Sequence, residues 1–162
     1  MRIAVLDLGT NTFNLLIVDC HADGSVSKVF NEKLAPKIGL GGINNKIITS
    51  DAFQRGIDSL IIQKQIIDSY KPDKVYVFGT SALRNAQNAA DFIKSVYDRT
   101  QLKIDVISGE REAELIFYGN RKAVNFENHT VLILDIGGGS NEFIIANKET
   151  IFWKQSFEIS NH

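Results

Sequence analysis

The sequence predicts an α/β fold on a mixed sheet: an antiparallel three-strand meander, then parallel strands joined by helices. Three observations predict it. Three apolar stretches follow one another early in the chain, separated only by brief turns. Short apolar strands then alternate with amphipathic helices, the pattern of parallel strands and their crossovers. Finally the opening pattern returns, so that AVLDLGTNTFNLLI at 4–17 lies over LILDIGGGSNEFII at 132–145.

Residues 2–8 read as a buried strand, 12–19 as its antiparallel neighbour and Val26–Leu34 as the third. Pro36, Gly39, Gly41, Gly42 and Asn44–Asn45 make 35–49 a loop, either a plain connector or a mobile, ligand-facing lid. Thr49 or Ser50 caps a helix to about Tyr70, with Phe53, Ile57, Leu60, Ile61 and Ile67 at helical spacing and Pro72 beyond its end. Val75–Phe78 is a short strand, and Ala86–Tyr97 a helix with Ala89, Phe92, Ile93 and Val96 inward. Ile104–Ile107 is another strand. Ser108 or Gly109 then starts a helix to about Gly119, with Ala113, Ile116 and Phe117 on one face. Strands at Val131–Asp135, Glu142–Ala146 and Thr150–Gln155 repeat the opening meander. Asp7 matches Asp135 and Gly9 matches Gly137, which reads as a duplication. Residues 1 to about 125 form the first domain, and 126–162 the opening strands of a second, truncated one.

Composition narrows the function classes. With 44% hydrophobic and 23% charged residues, the chain is neither disordered nor fibrous. A net charge of −1 argues against nucleic acid or a membrane surface as partner, so any polyanion site is local. No apolar run reaches bilayer length, and the apolar start is cut by Asp7, unlike a signal peptide. The single Cys20 permits no internal disulfide and no cysteine zinc cage, which suits a reducing, cytoplasmic location. His21, His129 and His162 lie in turns or at the terminus and form no metal-ligand pair.

Four segments carry chemistry. At each end of the repeat, a strand closes in Asp-x-Gly and leaves a carboxylate beside exposed backbone N–H groups. Gly9, Thr10, Asn11 and Thr12 in one turn, and Gly137, Gly138, Gly139 and Ser140 in the other, are suited to phosphate oxygens. The carboxylates Asp7 and Asp135 are suited to magnesium or its waters. Neither turn is a Walker A loop, since Gly-Lys-Thr/Ser is missing. Neither is a dinucleotide fingerprint, since Gly137–Gly139 leads into a strand. The third segment, Gly79–Asn85, follows a strand and offers Arg84 as a two-pronged phosphate grip. The fourth, Ser108–Glu114, places Glu110, Glu112 and Glu114 in the first turns of a helix. All three favour the helix dipole, and one of them can orient an attacking water; spacing does not choose among them.

Asp7–Thr12, Gly79–Asn88, Ile107–Ala113 and Asp135–Glu142 together resemble the motifs of the exopolyphosphatase/guanosine-pentaphosphate phosphohydrolase family, in its order and over essentially the whole chain. The resemblance implies a ribonuclease-H-like, actin-like ATPase fold. It also implies magnesium-assisted hydrolysis of a terminal phosphoanhydride in inorganic polyphosphate or guanosine pentaphosphate. It selects Glu112 as the carboxylate that activates water, adds Glu142 as a second catalytic and magnesium-binding carboxylate, and matches Arg84 to the family arginine. Asn141 departs from the threonine or cysteine of many members. Length is the larger departure, because the family has two such domains. The expectation is therefore a chain that is poorly active alone and that either forms a homodimer through 130–157 or belongs to a two-domain parent. Two alternatives stand beside it: an ATP-using kinase or ATPase of the same superfold, and a non-catalytic polyphosphate or alarmone sensor.

Overall fold

The computed structural model describes residues 1–127 and 129–159; His162 lies outside them. These form two compact units, one of residues 1–106 and the other of the described residues from 107 on.

In the first unit, β1 (Arg2–Leu8), β2 (Phe13–Cys20) and β3 (Val26–Leu34) form the expected antiparallel meander. Strands β4 (Lys74–Gly79) and β5 (Ile104–Val106) add in parallel beside β1, giving the order β3-β2-β1-β4-β5. Alternation decides the buried face. Ala4, Leu6 and Leu8 of β1 and Phe13, Leu15 and Ile17 of β2 are all 0% exposed. Helix α1 (Ser50–Tyr70) and helix α3 (Ala89–Thr100) contribute Ala52, Ile57, Leu60, Ile67, Phe92 and Val96 to the same core. Thr49 caps α1, its hydroxyl accepting from the Ala52 N–H. The helices approach closely at Gly56, where an added Cβ would lie 2.8 Å from the Phe92 ring. Gln63 of α1 is fully buried and donates to the Phe13 carbonyl at 3.3 Å.

The helix expected at 86–97 is corrected. A short helix α2 (Ser81–Asn85) comes first, Ala86 is extended, and α3 begins only at Ala89. The chain leaves helical geometry because the Gln87 N–H donates to the Lys46 carbonyl and Asn88 is spent on the backbone of Ile48.

In the second unit, α4 (Gly109–Ala123) packs on a three-stranded antiparallel sheet, β6 (Val131–Ile136), β7 (Asn141–Ala146) and β8 (Ile151–Phe157). Ala113 and Phe117 of α4 bury against Phe126, Ile144 and Ala146. The expected boundary near 125 gave this helix to the first domain; its apolar face instead makes it part of the second compact unit. Helix α4 also runs a turn beyond Gly119, to Ala123.

The opposite face of this sheet is wet. Leu132, Ile145 and Trp153 are aligned across the three strands, as are Ile136, Asn141 and Phe157. Ile136 is 63%, Leu132 62% and Trp153 44% exposed. Shifted by the repeat, Leu132, Leu134 and Ile136 are Ala4, Leu6 and Leu8, all 0% exposed beneath helices in the first unit. Ile133 is half-buried toward α4, because its alternation matches Ile144.

Glu114 of α4 ties helix to sheet. It accepts from Lys154 of β8 and, at 2.8 Å, from Arg111. The Lys154 contact first, and then Arg111, hold its carboxyl below the ordinary range. A depressed folded value stabilises above the unfolded value and is lost as pH falls through the folded one. Stability of the chain is therefore expected to fall below about pH 4.5, the ordinary value, and Glu114→Gln is expected to flatten that part of the profile. Urea midpoints from pH 3 to 6, roughly spanning ordinary carboxylate values, check this; parallel profiles would remove Glu114 from the effect.

Candidate functional site

The β1–β2 and β6–β7 hairpins are built alike. The Gly9 N–H donates to the Thr12 carbonyl at 2.9 Å, and the Gly137 N–H to the Ser140 carbonyl at 2.9 Å. Both bonds close the turn just after the Asp-x-Gly strand end, in the same relative register. Asp7 lies directly opposite Asn14, and Asp135 directly opposite Glu142. The duplication read from the sequence is thus a repeat of hydrogen bonding as well as of residues.

Close approach requires glycine at 137 and leaves little room at 9. A Cβ on Gly137 would lie 2.6 Å from the Ser140 carbonyl oxygen, and one on Gly9 3.1 Å from that of Thr12. Backbone cannot give way cheaply at the shorter distance. Gly137→Ala is expected to cost about 1–3 kcal/mol, the scale of overpacking, and Gly9→Ala clearly less. Urea denaturation of both variants checks the order, and equal losses would contradict the geometry.

The first unit gathers its candidates at one sheet edge. Leu8 of β1 pairs with Gly79 of β4 in parallel register, and the Thr80 N–H and hydroxyl both reach the Leu8 carbonyl at 3.3 Å. The turn Gly9–Thr12 and helix α2, with Arg84 in its last turn, therefore leave adjacent carboxyl ends of parallel strands, where α/β ligand sites gather. Asp7 is exposed and accepts from Asn14 at 3.3 Å. Thr10 is only 3% exposed, while Asn11, Thr12 and Arg84 are half-buried.

The second unit places Asp135, the turn Gly137–Ser140 and Glu142 on one hairpin, and Glu112 at the start of α4. Ser108 caps α4, its hydroxyl accepting from the Arg111 N–H at 3.2 Å, and the Glu112 N–H donates to the Ser108 carbonyl at 2.9 Å. Of the three glutamates, Glu110 is exposed, Glu114 is committed to Lys154 and Arg111, and Glu112 is half-buried. Glu142 is 1% exposed and accepts from the Ser156 hydroxyl at 2.7 Å. Ser156 was not singled out in the sequence; only the β7–β8 register, which sets it opposite Glu142, reveals it. His21 and His129 are exposed in turns, as expected.

The donor set bears on magnesium. Among the described residues no group of three or more His, Cys, Asp or Glu is arranged to hold a metal, so no closed protein cage exists there. Asp135 and Glu142 nevertheless face each other across a strand pair, where like charges are unfavourable without a cation. One or two carboxylates, with waters and substrate phosphates, is how magnesium is usually held. The residues present fit that mode.

The chain matches the profile of the Ppx/GppA phosphatase family over residues 17–159. It belongs to that family. An exopolyphosphatase from Cytophaga hutchinsonii shares 46% identity and a TM-score of 0.96, over 99% of this chain and 51% of that one. The Ppx/GppA family member from Aquifex aeolicus shares 26% identity and a TM-score of 0.84, over 99% of this chain and 52% of that one. A guanosine-5'-triphosphate,3'-diphosphate pyrophosphatase from Vibrio cholerae is 36% identical over 88% of this chain and 28% of its own length. A bifunctional 3-dehydroquinate synthase/phosphatase from Fusobacterium nucleatum is 33% identical over 98% of this chain and 25% of its own. The chain thus spans about half of these solved relatives and about a quarter of these curated ones. Its fold is the α/β fold of these family members, with a mixed five-stranded sheet followed by an antiparallel three-stranded one. Among the described residues, no helix is long and apolar enough to cross a membrane.

Proposed function

We propose that this chain carries catalytic and phosphate-binding parts of a cytoplasmic phosphoanhydride hydrolase, one that releases terminal phosphate from inorganic polyphosphate or guanosine pentaphosphate. The observation that carries the reading is the repeated Asp-x-Gly hairpin, closed by the same hydrogen bond at Gly9 and Gly137, in a chain of a phosphatase family. The relatives named exopolyphosphatase and guanosine-5'-triphosphate,3'-diphosphate pyrophosphatase favour a phosphoanhydride as the bond attacked.

Hydrolysis of a phosphoanhydride needs chiefly positioning and neutralisation of charge. In the first unit the N–H groups and hydroxyls of Thr10–Thr12 bind phosphate oxygens and the Arg84 guanidinium grips phosphate in two-pronged fashion; in the second, the N–H groups of Gly138–Ser140 and the Ser140 hydroxyl bind phosphate oxygens. Glu112 accepts a proton from the water that attacks the terminal phosphorus; the P–O bond to the next phosphate breaks, and inorganic phosphate leaves. Glu112 stands in the first turn of α4. In the second unit Asp135 and Glu142 would hold magnesium or its waters, and in the first Asp7 would offer a further carboxylate; the ion would supply neutralisation of phosphate charge. Ser156 fixes one oxygen of Glu142.

Phosphate release is the test. Protein carrying these residues is incubated with polyphosphate and with guanosine pentaphosphate, with and without magnesium. Magnesium-dependent release from at least one is expected. No release from either, with consumption of ATP instead, would favour a nucleotide-using enzyme of the same fold; tight binding without turnover would favour a sensor.

The uncovered face of β6–β8 adds an expectation about association. Each large side chain left wet forgoes roughly 1.5–3 kcal/mol, and contiguous apolar surface favours pairing. Protein made as these 162 residues is expected to self-associate through Leu132, Leu134, Ile136 and Trp153. Sedimentation at rising concentration checks this, with Leu134→Lys expected to favour the monomer. A monomer at all concentrations would contradict it.

A further inference from the structure

The loop between β3 and α1 is neither a loose connector nor a free lid. At one end it is fastened to the β1–β2 turn: the Lys37 N–H donates to the Asn11 carbonyl and the Gly39 N–H to the Thr10 carbonyl, both at 3.1 Å. The fit is close, since a Cβ on Gly39 would lie 2.4 Å from Cγ2 of the buried Thr10. At the other end it is fastened just beyond α2. The Gln87 N–H donates to the Lys46 carbonyl at 2.8 Å. Asn88 uses both ends of its amide on one residue, accepting from the Ile48 N–H at 2.9 Å and donating to the Ile48 carbonyl at 2.8 Å. Between the ends, Ile38 and Ile48 share a buried cluster with Ala82 and Ala86, and Ile43 lines with them a pocket of about 10 Å³, too little for more than about one water.

Residues 36–48 therefore form a strap between the turn Gly9–Thr12 and the helix that carries Arg84. Asn88 gains nothing locally from its position: it precedes α3 yet makes no side-chain cap there. Its amide serves the strap alone, and the break in the helix at Ala86 is the local cost.

We propose that Asn88 is a positioning residue for the phosphate-binding turn Gly9–Thr12, acting through the strap 36–48. This rests on the phosphate-binding reading of that turn. A paired amide holds Ile48 in register on both its donor and its acceptor; the packed strap carries that placement to Gly39, and Gly39 sets Thr10. Misplacement of a binding group by as little as about 1 Å can cost as much as about a hundredfold.

The experiment compares the full chain with Asn88→Ala, Gly39→Ala and, as a control for lost stability, Val96→Ala in the buried core two turns further along α3. Two quantities are read: amide hydrogen exchange at Lys37 and Gly39, and the affinity for inorganic tripolyphosphate by calorimetry. Asn88→Ala is expected to speed exchange at both amides by about tenfold, the scale of two lost hydrogen bonds, and to weaken tripolyphosphate binding by about tenfold or more. Gly39→Ala is expected to weaken binding similarly from the other end of the strap, which keeps the test decisive if Asn88→Ala does not fold. Val96→Ala is expected to lower the melting temperature while leaving both readouts unchanged. Unchanged exchange in Asn88→Ala, or faster exchange with wild-type affinity, would overturn the inference. So would Gly39→Ala binding as wild type, or Val96→Ala weakening binding as much as Asn88→Ala. A wild-type chain that binds no tripolyphosphate would instead overturn the phosphate-binding reading, and this inference with it.

Discussion

Phosphate release is expected to fall by about 10²–10⁴-fold when Glu112 is replaced by glutamine, the range for loss of a general base. The substitution keeps size and shape, and removes the negative charge and with it the capacity to take a proton. The helix start is independent of the side chain, because the cap is Ser108 and the Glu112 N–H bonds to the Ser108 carbonyl. Folding should therefore survive, and the loss should fall on kcat with KM little changed. The neighbouring glutamates serve as internal controls. Glu110→Gln changes an exposed residue, and Glu114→Gln changes one committed to Lys154 and Arg111, so neither should slow the chemistry strongly. Steady-state phosphate release on the three variants checks this. Near-normal turnover in Glu112→Gln would reject it as the base.

Replacing Arg84 by alanine is expected to weaken polyphosphate binding by about 1.5–3 kcal/mol, the scale of a charge-assisted hydrogen bond. Arg84 stands in the last turn of α2, whose first turn is set by the contacts of Thr80 with Leu8, and whose flank is packed under the strap. The guanidinium is thus held on a fixed piece of backbone and not on a loose loop. Lysine should restore only part of the affinity, since an ammonium group is a point charge and forms no two-pronged contact. Calorimetric titration of both variants checks this. Unchanged affinity in Arg84→Ala would place the residue outside the phosphate site.

The strands and their pairing were legible because they are local and periodic. Alternation in Ile3–Leu8 and Phe13–Ile17 marks one buried face, and the Asp-x-Gly ends at Asp7 and Asp135 mark matching turns, whose shared closure the structure then displays. The break at Ala86–Asn88 was not legible. Ala-Gln-Asn-Ala-Ala reads as helix by itself, and it is overridden by bonds to Lys46 and Ile48, about forty residues away in sequence. The place of α4 was hidden for a similar reason: Ala113 and Phe117 announce an apolar face but not what it meets. Ile133 could be assigned to a side of its sheet only once its register with Ile144 was known. Of the candidate site, residue types and spacing marked the turns and the arginine. They left three glutamates open, of which Glu114 is paired with Lys154 and Arg111.

The account's central claim is that the repeated hairpin turns bind phosphate. Amide chemical shifts of the chain titrated with inorganic tripolyphosphate test it most directly. The account predicts saturable shifts at the N–H groups of Gly9–Thr12 and of Gly137–Ser140, with the amides of the β2–β3 turn at Ala22–Gly24 unmoved. Shifts confined to other surface amides, or none in either Asp-x-Gly turn at saturating ligand, would contradict it.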